Sequence, residues 1–266
     1  MTECFTEGKA KQPTLNQDAF VITEDFIAVI DGASSAMPFD GVPGGLCAKN
    51  ILAEGVGRLD RKVSGFEAIC ELNALLREAQ EPYPFAQNDP ARRMMASIVM
   101  YSAHAKQVWS YGDCSYMVNG KEYRFDKKID TLNACVRSFV NQAEMVLGRS
   151  EGQLLEDDTG ARYIADLLNY QPLFANKSGE FGYPILDGFE LREDFFVSVA
   201  VRHGDTVVLA TDGYPVLRPT LAESERLLKE IVERDPLMVG KNRSVKGVYS
   251  GLGNFDDRTF VKFLVD

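Results

Sequence analysis

The sequence predicts an α+β fold built from antiparallel sheets. Short apolar runs rich in Val, Ile and Phe follow one another in groups, and amphipathic helical segments lie between these groups. The Asn119-Gly120 pair is typical of a tight hairpin turn between consecutive strands. A doubly wound parallel sheet would require strands and helices to alternate one by one, so we expect strands that pair antiparallel.

The apolar periodicity predicts elements along the whole chain. In order, these are strands 19–23 and 26–31, helices 46–59 and 66–79, strands 95–103, 107–111 and 115–118, helices 130–147 and 161–169, strands 195–201 and 206–210, helix 220–233 and strand 258–265. We expect strands 195–201 and 206–210 to form a hairpin. Thr220 and Glu223 have the spacing of a capping box. The chain is interpreted as one domain, 1–266, with a helical and loop insertion at about 130–192.

Composition limits the classes of function. The 29 basic and 39 acidic residues give a net charge of −10, which argues against a general nucleic-acid binder. No run reaches the roughly 20 apolar residues of a membrane helix. The N-terminal residues are polar, and the 5 cysteines are scattered without a Cys-x-x-Cys pair. We therefore expect a cytoplasmic protein that binds neither nucleic acid nor membranes, with a monomer favoured.

Acidic residues at strand ends carry the functional prediction. Asp31 ends the apolar run 26–31, Asp212 follows the run 206–210, and Asp18 and Asp256 (or its neighbour Asp257) lie at turns or strand ends. If a sheet gathers them, several negative charges need a counter-ion. An all-oxygen site of this kind suits Mg²⁺ or Mn²⁺. Two such ions can activate a shared water and clamp phosphoryl oxygens.

Five short motifs resemble, in order, those of the PP2C-type metal-dependent protein phosphatases, and bacterial members in particular. They are Asn16-Gln-Asp-Ala19, Val29-Ile-Asp-Gly32, Gly112-Asp-Cys-Ser115, Leu209-Ala-Thr-Asp-Gly213 and Asp256-Asp-Arg-Thr259. The resemblance spans nearly the whole chain. It implies a four-layer α-β-β-α sandwich, in which two antiparallel sheets are flanked by helix pairs, with two Mn²⁺ or Mg²⁺ ions at one end.

The resemblance also implies roles for individual residues. Asp31 would bridge two metal ions and Gly32 would offer its backbone carbonyl. Asp212 and Asp256 would complete one metal's ligands, and Asp18 would hold a metal-bound water. Asp113 would brace the sheet near the site. Whether a third ion binds near Asp126 or Asp130, and whether Asp256 or Asp257 faces the metal, stays open in the sequence.

The chain departs from the family pattern at three places. Gln17 stands where an acidic residue is usual, and Ala33 stands where many eukaryotic members carry a histidine proposed as general acid. The usual phosphate-binding arginine has no counterpart. Lys9 and Lys11 are the nearest cations, although lysine lacks the bidentate fork of arginine.

The resemblance implies a phosphatase that removes phosphate from phosphoserine or phosphothreonine in protein substrates by attack of a metal-bridging hydroxide. The departures favour an alternative, a catalytically weak PP2C-like module that binds phosphoproteins or regulates a pathway. Retention of Asp31, Asp212 and Asp256 leads us to prefer the enzyme.

Overall fold

Two five-stranded antiparallel sheets form the centre of the protein in a computed structural model, which describes residues 2–10, 13–33, 35–249 and 252–266. Sheet I has the strand order β1-β12-β11-β8-β9, and sheet II has the order β10-β7-β6-β3-β2. The strands are β1 (Glu3–Glu7), β2 (Asp18–Ile22), β3 (Phe26–Ala33), β4 (Pro38–Phe39), β5 (Val42–Pro43), β6 (Met95–Ser102), β7 (Gln107–Tyr111), β8 (Ser115–Val118), β9 (Lys121–Tyr123), β10 (Val197–Ala200), β11 (Thr206–Ala210) and β12 (Arg258–Leu264). Strands β4 and β5 form a separate two-stranded ribbon.

Branched and aromatic side chains fill the space between the two sheets. Val29 and Val99 of sheet II are fully buried in one cluster with Val207, Leu209 and Val261 of sheet I. Because alternate residues of a strand point to opposite faces, the intervening residues face the outer layers. The predicted α+β architecture of two antiparallel sheets is therefore confirmed.

Helices cover the outer faces of both sheets. The helices are α1 (Gly44–Val56), α2 (Gly65–Gln80), α3 (Pro84–Asn88), α4 (Lys128–Val146), α5 (Glu151–Glu156), α6 (Thr159–Tyr170) and α7 (Leu221–Arg234). Helices α1 and α2 bury Leu52 and Leu72 against Ile30 and Ile98 of sheet II. On sheet I, Leu228 of α7 joins the buried cluster over the outer face. None of the helices in the described part of the chain is both long and apolar enough to cross a membrane.

One buried arginine joins helices α4 and α6 to the segment 236–249, which we call the basic segment. Arg137 of α4 is fully buried, and its guanidinium donates to the Asp158 carboxylate at the start of α6. It also donates to the carbonyls of Leu237 and Ser244, at 2.9 Å each. A buried side chain therefore attaches the basic segment to α4 and to the start of α6.

Most predicted elements lie where the periodicity placed them, but one predicted pairing is wrong. Strand β10 pairs with β7 in sheet II, whereas β11 pairs with β8 and β12 in sheet I. The two strands do not form a hairpin, because the turn at 202–205 carries the chain from one sheet to the other. Strand β1 was not predicted, and its side chains alternate between half-buried and exposed.

Candidate metal and phosphate site

The two sheets bring acidic residues to one edge of the sandwich. Asp18 and Asp31 are opposite each other in the β2–β3 ladder of sheet II. Asp212 follows β11, and Asp256 precedes β12, in sheet I. The Thr211 hydroxyl donates to the Asp18 carboxylate across the sheets, with 2.7 Å between oxygens. Four aspartates that are far apart in sequence thus meet at one place.

A cavity of about 570 Å³ opens beside this edge. Asp31, Gly32, Asp212 and Asp256 contribute to its wall. Asp18 lies behind Asp31 and borders a different cavity, of about 410 Å³. This position suits Asp18 for orienting a neighbour and not for direct contact with a ligand in the larger cavity.

Gly32 is required where it lies because another part of the backbone approaches closely. A Cβ at this position would be 2.2 Å from the Gly45 carbonyl oxygen, near the first residue of α1. The Gly32 amide donates to the Gln17 carbonyl at 3.0 Å. A side chain here would push apart the segments that carry Asp18 and Asp31.

The acidic cluster holds more negative charge than its surroundings neutralise. Burial raises the pKa of Asp31 well above its ordinary value, and the charges of Asp18 and Asp212 raise it further. Burial likewise raises the pKa of Asp18, against the opposing hydrogen bond from Thr211. Burial and repulsion by Asp256 raise the pKa of Asp212 to about 6. A divalent cation would relieve this repulsion.

The adjacent residues Asp256 and Asp257 have different environments. The Asp257 carboxylate accepts the backbone amides of Lys9 at 2.8 Å and Gln17 at 3.0 Å, so it ties the N-terminal segment to the start of β12. The Asp256 carboxylate instead forms ion pairs with two lysines that border the cavity. Because the Asp257 carboxylate already accepts two backbone hydrogen bonds, Asp256 is the better candidate metal ligand of the two.

Two lysines contact Asp256. Lys9 Nζ lies 3.3 Å from Oδ1, and Lys246 Nζ, from the basic segment, pairs with Oδ2. Burial alone would raise the pKa of Asp256, but Lys246 and then Lys9 hold it below the ordinary value. The structure thus places Lys9 in the cavity as a cation. Lys11, the other lysine predicted to bind phosphate, lies outside the described residues.

A third lysine neutralises the acidic residues on the other side of the cavity. Lys127 Nζ lies 3.1 Å from a carboxylate oxygen of Asp113 and 3.1 Å from one of Asp130. The Ser97 hydroxyl donates to the other Asp113 oxygen at 2.5 Å. Although burial opposes it, Lys127 lowers the pKa of Asp113. The positive charge next to Asp113 and Asp130 therefore comes from the chain itself.

The chemistry of the donor set fits a hard divalent cation. Asp31, Asp212 and Asp256 offer carboxylate oxygens and Gly32 a backbone carbonyl, which are the ligands that Mg²⁺ and Mn²⁺ take. In the described ranges, no group of three or more His, Cys, Asp or Glu side chains is gathered so that it could hold a metal ion. Asp256 would have to exchange ammonium partners for an ion to complete such a group.

Gln17 and Ala33, the other two departures from the family pattern, lie close to the acidic residues. The Gln17 backbone carbonyl accepts from the Gly32 amide, and the Gln17 backbone amide donates to the Asp257 carboxylate. Ala33, at the end of β3, borders the cavity and brings no proton donor to it. Leaving-group protonation would have to come from water or from another side chain.

Sequence reasoning missed Lys246 and Lys127. Both belong to segments with weak periodicity, so periodicity did not show that Lys246 would reach Asp256, 10 residues later, or that Lys127 would reach Asp113, 14 residues earlier. One sequence feature points to Lys246. The stretch Lys241-Asn-Arg-Ser-Val-Lys246 is the cluster of basic residues closest in sequence to the motif that starts at Asp256.

Solved structures share this fold over the full length of the chain. The serine/threonine phosphatase PstP/Ppp of Mycobacterium tuberculosis has a TM-score of 0.54 and 14% sequence identity, covering 100% of this chain and 99% of that one. The PstP catalytic domain in complex with 2 manganese ions has a TM-score of 0.51 and 15% identity, covering 100% and 98%. The Ser-Thr phosphatase MsPP of Mycobacterium smegmatis, in complex with cacodylate, has a TM-score of 0.50 and 14% identity, again covering 100% and 98%. The chain has the PP2C phosphatase fold.

No protein-family model matches the chain, and no curated protein sequence does. What the chain shares with the solved phosphatases is the PP2C fold. Within that fold, the four aspartates lie where the two sheets end together, and lysines from the basic segment and the N-terminal segment approach them. The chemistry of this PP2C-fold site follows from these side chains.

Proposed function

We propose that the protein is a Mn²⁺- or Mg²⁺-dependent phosphatase that hydrolyses phosphoserine and phosphothreonine in proteins. The observation that supports this most is the meeting of Asp31, Asp212 and Asp256 at one open cavity of a PP2C fold. The raised pKa values of Asp31 and Asp212 mark a cluster with unbalanced negative charge. Such a cluster binds divalent cations.

The residues of the site have separate tasks in this proposal. Asp31, Asp212 and Asp256, with the Gly32 carbonyl, would hold two ions, and Asp18 would orient groups behind Asp31. When bound, the ions supply an activated nucleophile from water and neutralise the phosphoryl oxygens. The chain's own contribution is to fix these oxygens on rigid strand ends before substrate arrives.

The substrate proposal rests on the shape and charge of the cavity. The described residues leave the cavity open to solvent on one side, so a phosphorylated side chain on a protein segment can enter it. Lys9 and Lys246 provide positive charge within the same wall. A phosphate monoester dianion matches that charge.

Hydrolysis of a phosphopeptide or an aryl phosphate with added Mn²⁺ tests the proposal. We expect Asp31→Asn and Asp212→Asn to lower turnover by about 100-fold or more, because each removes a charged metal ligand. Asp166→Asn, on the exposed face of α6, is the matched control and should retain wild-type turnover. Equal activity in the wild type and in both site variants would reject the enzyme.

The ion pairs of Asp256 favour a second candidate, a module that binds phosphoproteins with little turnover. A carboxylate already held by two ammonium groups is a weaker metal ligand than a free one. Calorimetry separates the candidates. If Mn²⁺ fails to bind at millimolar concentration while a phosphopeptide binds the folded protein, the module is the correct description.

A further inference from the structure

Both oxygens of the Asp256 carboxylate are taken by ammonium groups. Oδ1 accepts from Lys9 and Oδ2 pairs with Lys246. A metal ion that binds Asp256 needs at least one of these oxygens. Each carboxylate oxygen has more than one acceptor site, but a divalent cation and an ammonium group on the same carboxylate repel each other, so we expect ion binding to displace one lysine or both.

Hydrogen bonds hold the backbone near Lys246, whereas its side chain can move. The carbonyl of Ser244, two residues earlier, accepts from the buried Arg137 guanidinium at 2.9 Å, and the Ser244 side chain accepts the Lys246 amide at 3.4 Å. The Lys246 side chain is 32% exposed and borders the cavity. Its flexible four-carbon stem allows the ammonium group to swing within the cavity.

A displaced ammonium group of Lys246 needs another acceptor. The other two carboxylates whose charges act most on Lys246, Asp212 and Asp31, are the remaining members of the proposed metal set, so bound ions would repel the lysine from these carboxylates as well. An anion that enters the cavity would offer new oxygen acceptors to the lysines that border it. A phosphate group is an anion of this kind, and it binds lysine as a point charge.

We propose that Lys246, together with Lys9, exchanges partners during ligand binding, from Asp256 to the phosphate group of the substrate. The exchange rests on the proposed function, in which ions and a phosphate monoester meet in this cavity. Lys246 is then the phosphate-binding residue that takes the place of the arginine missing from the N-terminal segment. Metal and phosphate binding become coupled, because the ion frees the lysine that the phosphate uses.

The coupling predicts opposite effects of one substitution on two affinities. Calorimetry of the full chain would measure Mn²⁺ binding alone, and then inorganic phosphate binding to the Mn²⁺-loaded protein. We expect Lys246→Gln to tighten Mn²⁺ binding by roughly threefold to tenfold, since a competing positive charge is removed. The same variant should bind inorganic phosphate about tenfold more weakly, since a charge-assisted hydrogen bond is lost.

Two further variants serve as controls. Lys229→Gln removes the same charge from the exposed face of α7 and should leave both affinities within about twofold of the wild type. Lys246→Arg keeps the charge and the donors, so it should retain phosphate binding. Thermal unfolding of each variant verifies that it is folded.

The outcomes separate this inference from the proposed function. Unchanged phosphate affinity in folded Lys246→Gln, or loss of phosphate binding in folded Lys246→Arg, would overturn the exchange even if the enzyme turns over substrate. Weaker Mn²⁺ binding by Lys246→Gln would also overturn it. Opposite shifts of the two affinities without any turnover would support the exchange and reject the phosphatase.

Discussion

Two neighbouring aspartates show how one residue type serves different purposes at adjacent positions. Asp256 and Asp257 lie in the bend that precedes β12, and their carboxylates face different surroundings. Asp257 holds the amides of Lys9 and Gln17, while Asp256 faces the lysines of the cavity. The spacing in Asp256-Asp-Arg-Thr259 could not show which of them faced inward, since both alternatives fit the pattern.

This difference predicts unequal effects on stability. We expect Asp257→Asn to lower the free energy of unfolding by about 2–3 kcal/mol, because one of the two oxygens that accept backbone N–H groups becomes an NH2 group, which is a donor. Asp256→Asn should cost less than about 1 kcal/mol, because its lysine partners can reach solvent. Urea unfolding of the metal-free variants measures both values. A larger loss in Asp256→Asn would show that the two roles have been assigned the wrong way round.

The basic segment is held by side chains of α4, and Arg137 makes the most contacts among them, beside the hydrogen bonds of Ser138 and Gln142 to the Val239 carbonyl. The arginine, with no exposed surface, connects α4 to the Asp158 carboxylate and to the carbonyls of Leu237 and Ser244. A buried ion pair of this kind is costly to break, because the remaining charge is left without a partner. Lys246 therefore depends for its position on a residue more than one hundred positions earlier in the chain.

We expect Arg137→Met to lower the free energy of unfolding by about 3–5 kcal/mol. Hydrogen exchange should become faster at the amides of residues 237–246, since their carbonyl anchors lose a donor. Arg162→Met, which removes an exposed arginine paired with Asp157, should cost no more than about 1 kcal/mol. Chemical unfolding and exchange mass spectrometry measure these effects. Unchanged exchange over 237–246 in folded Arg137→Met would show that the basic segment is held by other contacts.

The predictability of the elements follows the strength of their local patterns. Helix α7 begins where the sequence predicted, because the Thr220 hydroxyl accepts the Glu223 amide and fixes the first turn. Strands β10 and β11 were located correctly but paired wrongly, since apolar alternation defines a strand and not its neighbour. The basic segment has no periodicity, so neither its course nor the position of Lys246 could be predicted.

At the scale of the molecule, the site lies along the seam between the two sheets. Sheet II supplies Asp18 and Asp31, and sheet I supplies Asp212 and Asp256, so their repulsion acts across the seam. The five motifs predicted which aspartates would gather, because each of these lies at or next to the end of a strand. They could not predict Lys246 and Lys127, which balance part of this charge, since both lie outside the motifs.

The aspartates at the edge between the two sheets make the stability of the folded protein depend on pH and on metal ions. With its pKa raised to about 6, Asp212 holds a proton in the folded protein at pH values where the unfolded chain has released it, and raised pKa values at Asp18 and Asp31 have the same sign. The folded state therefore binds more protons than the unfolded state, and the stability of the metal-free protein should fall as pH rises from about 4.5 to about 7. The lowered pKa values of Asp113 and Asp256 act in the opposite direction and below this range.

Thermal unfolding with and without Mn²⁺ measures the effect. Because protons compete with the ion for the same oxygens, the increase in Tm caused by Mn²⁺ should be larger at pH 7.5 than at pH 5.5. Asp212→Asn should flatten the pH dependence of the metal-free protein, since the amide does not titrate. A Tm increase that is independent of pH would contradict the assignment of these carboxylates as ligands.

The order of strands in sheet I also determines when the site can form during synthesis. Strand β12 lies between β1 and β11, and it is the last strand of sheet I in chain order. Until residues 258–264 emerge, β11 has an unpaired edge and Asp257 cannot yet hold the N-terminal segment. A nascent chain therefore carries three of the four aspartates without a formed site and exposes a sheet edge prone to aggregation. Release of β12 closes the sheet and completes the site in the same step.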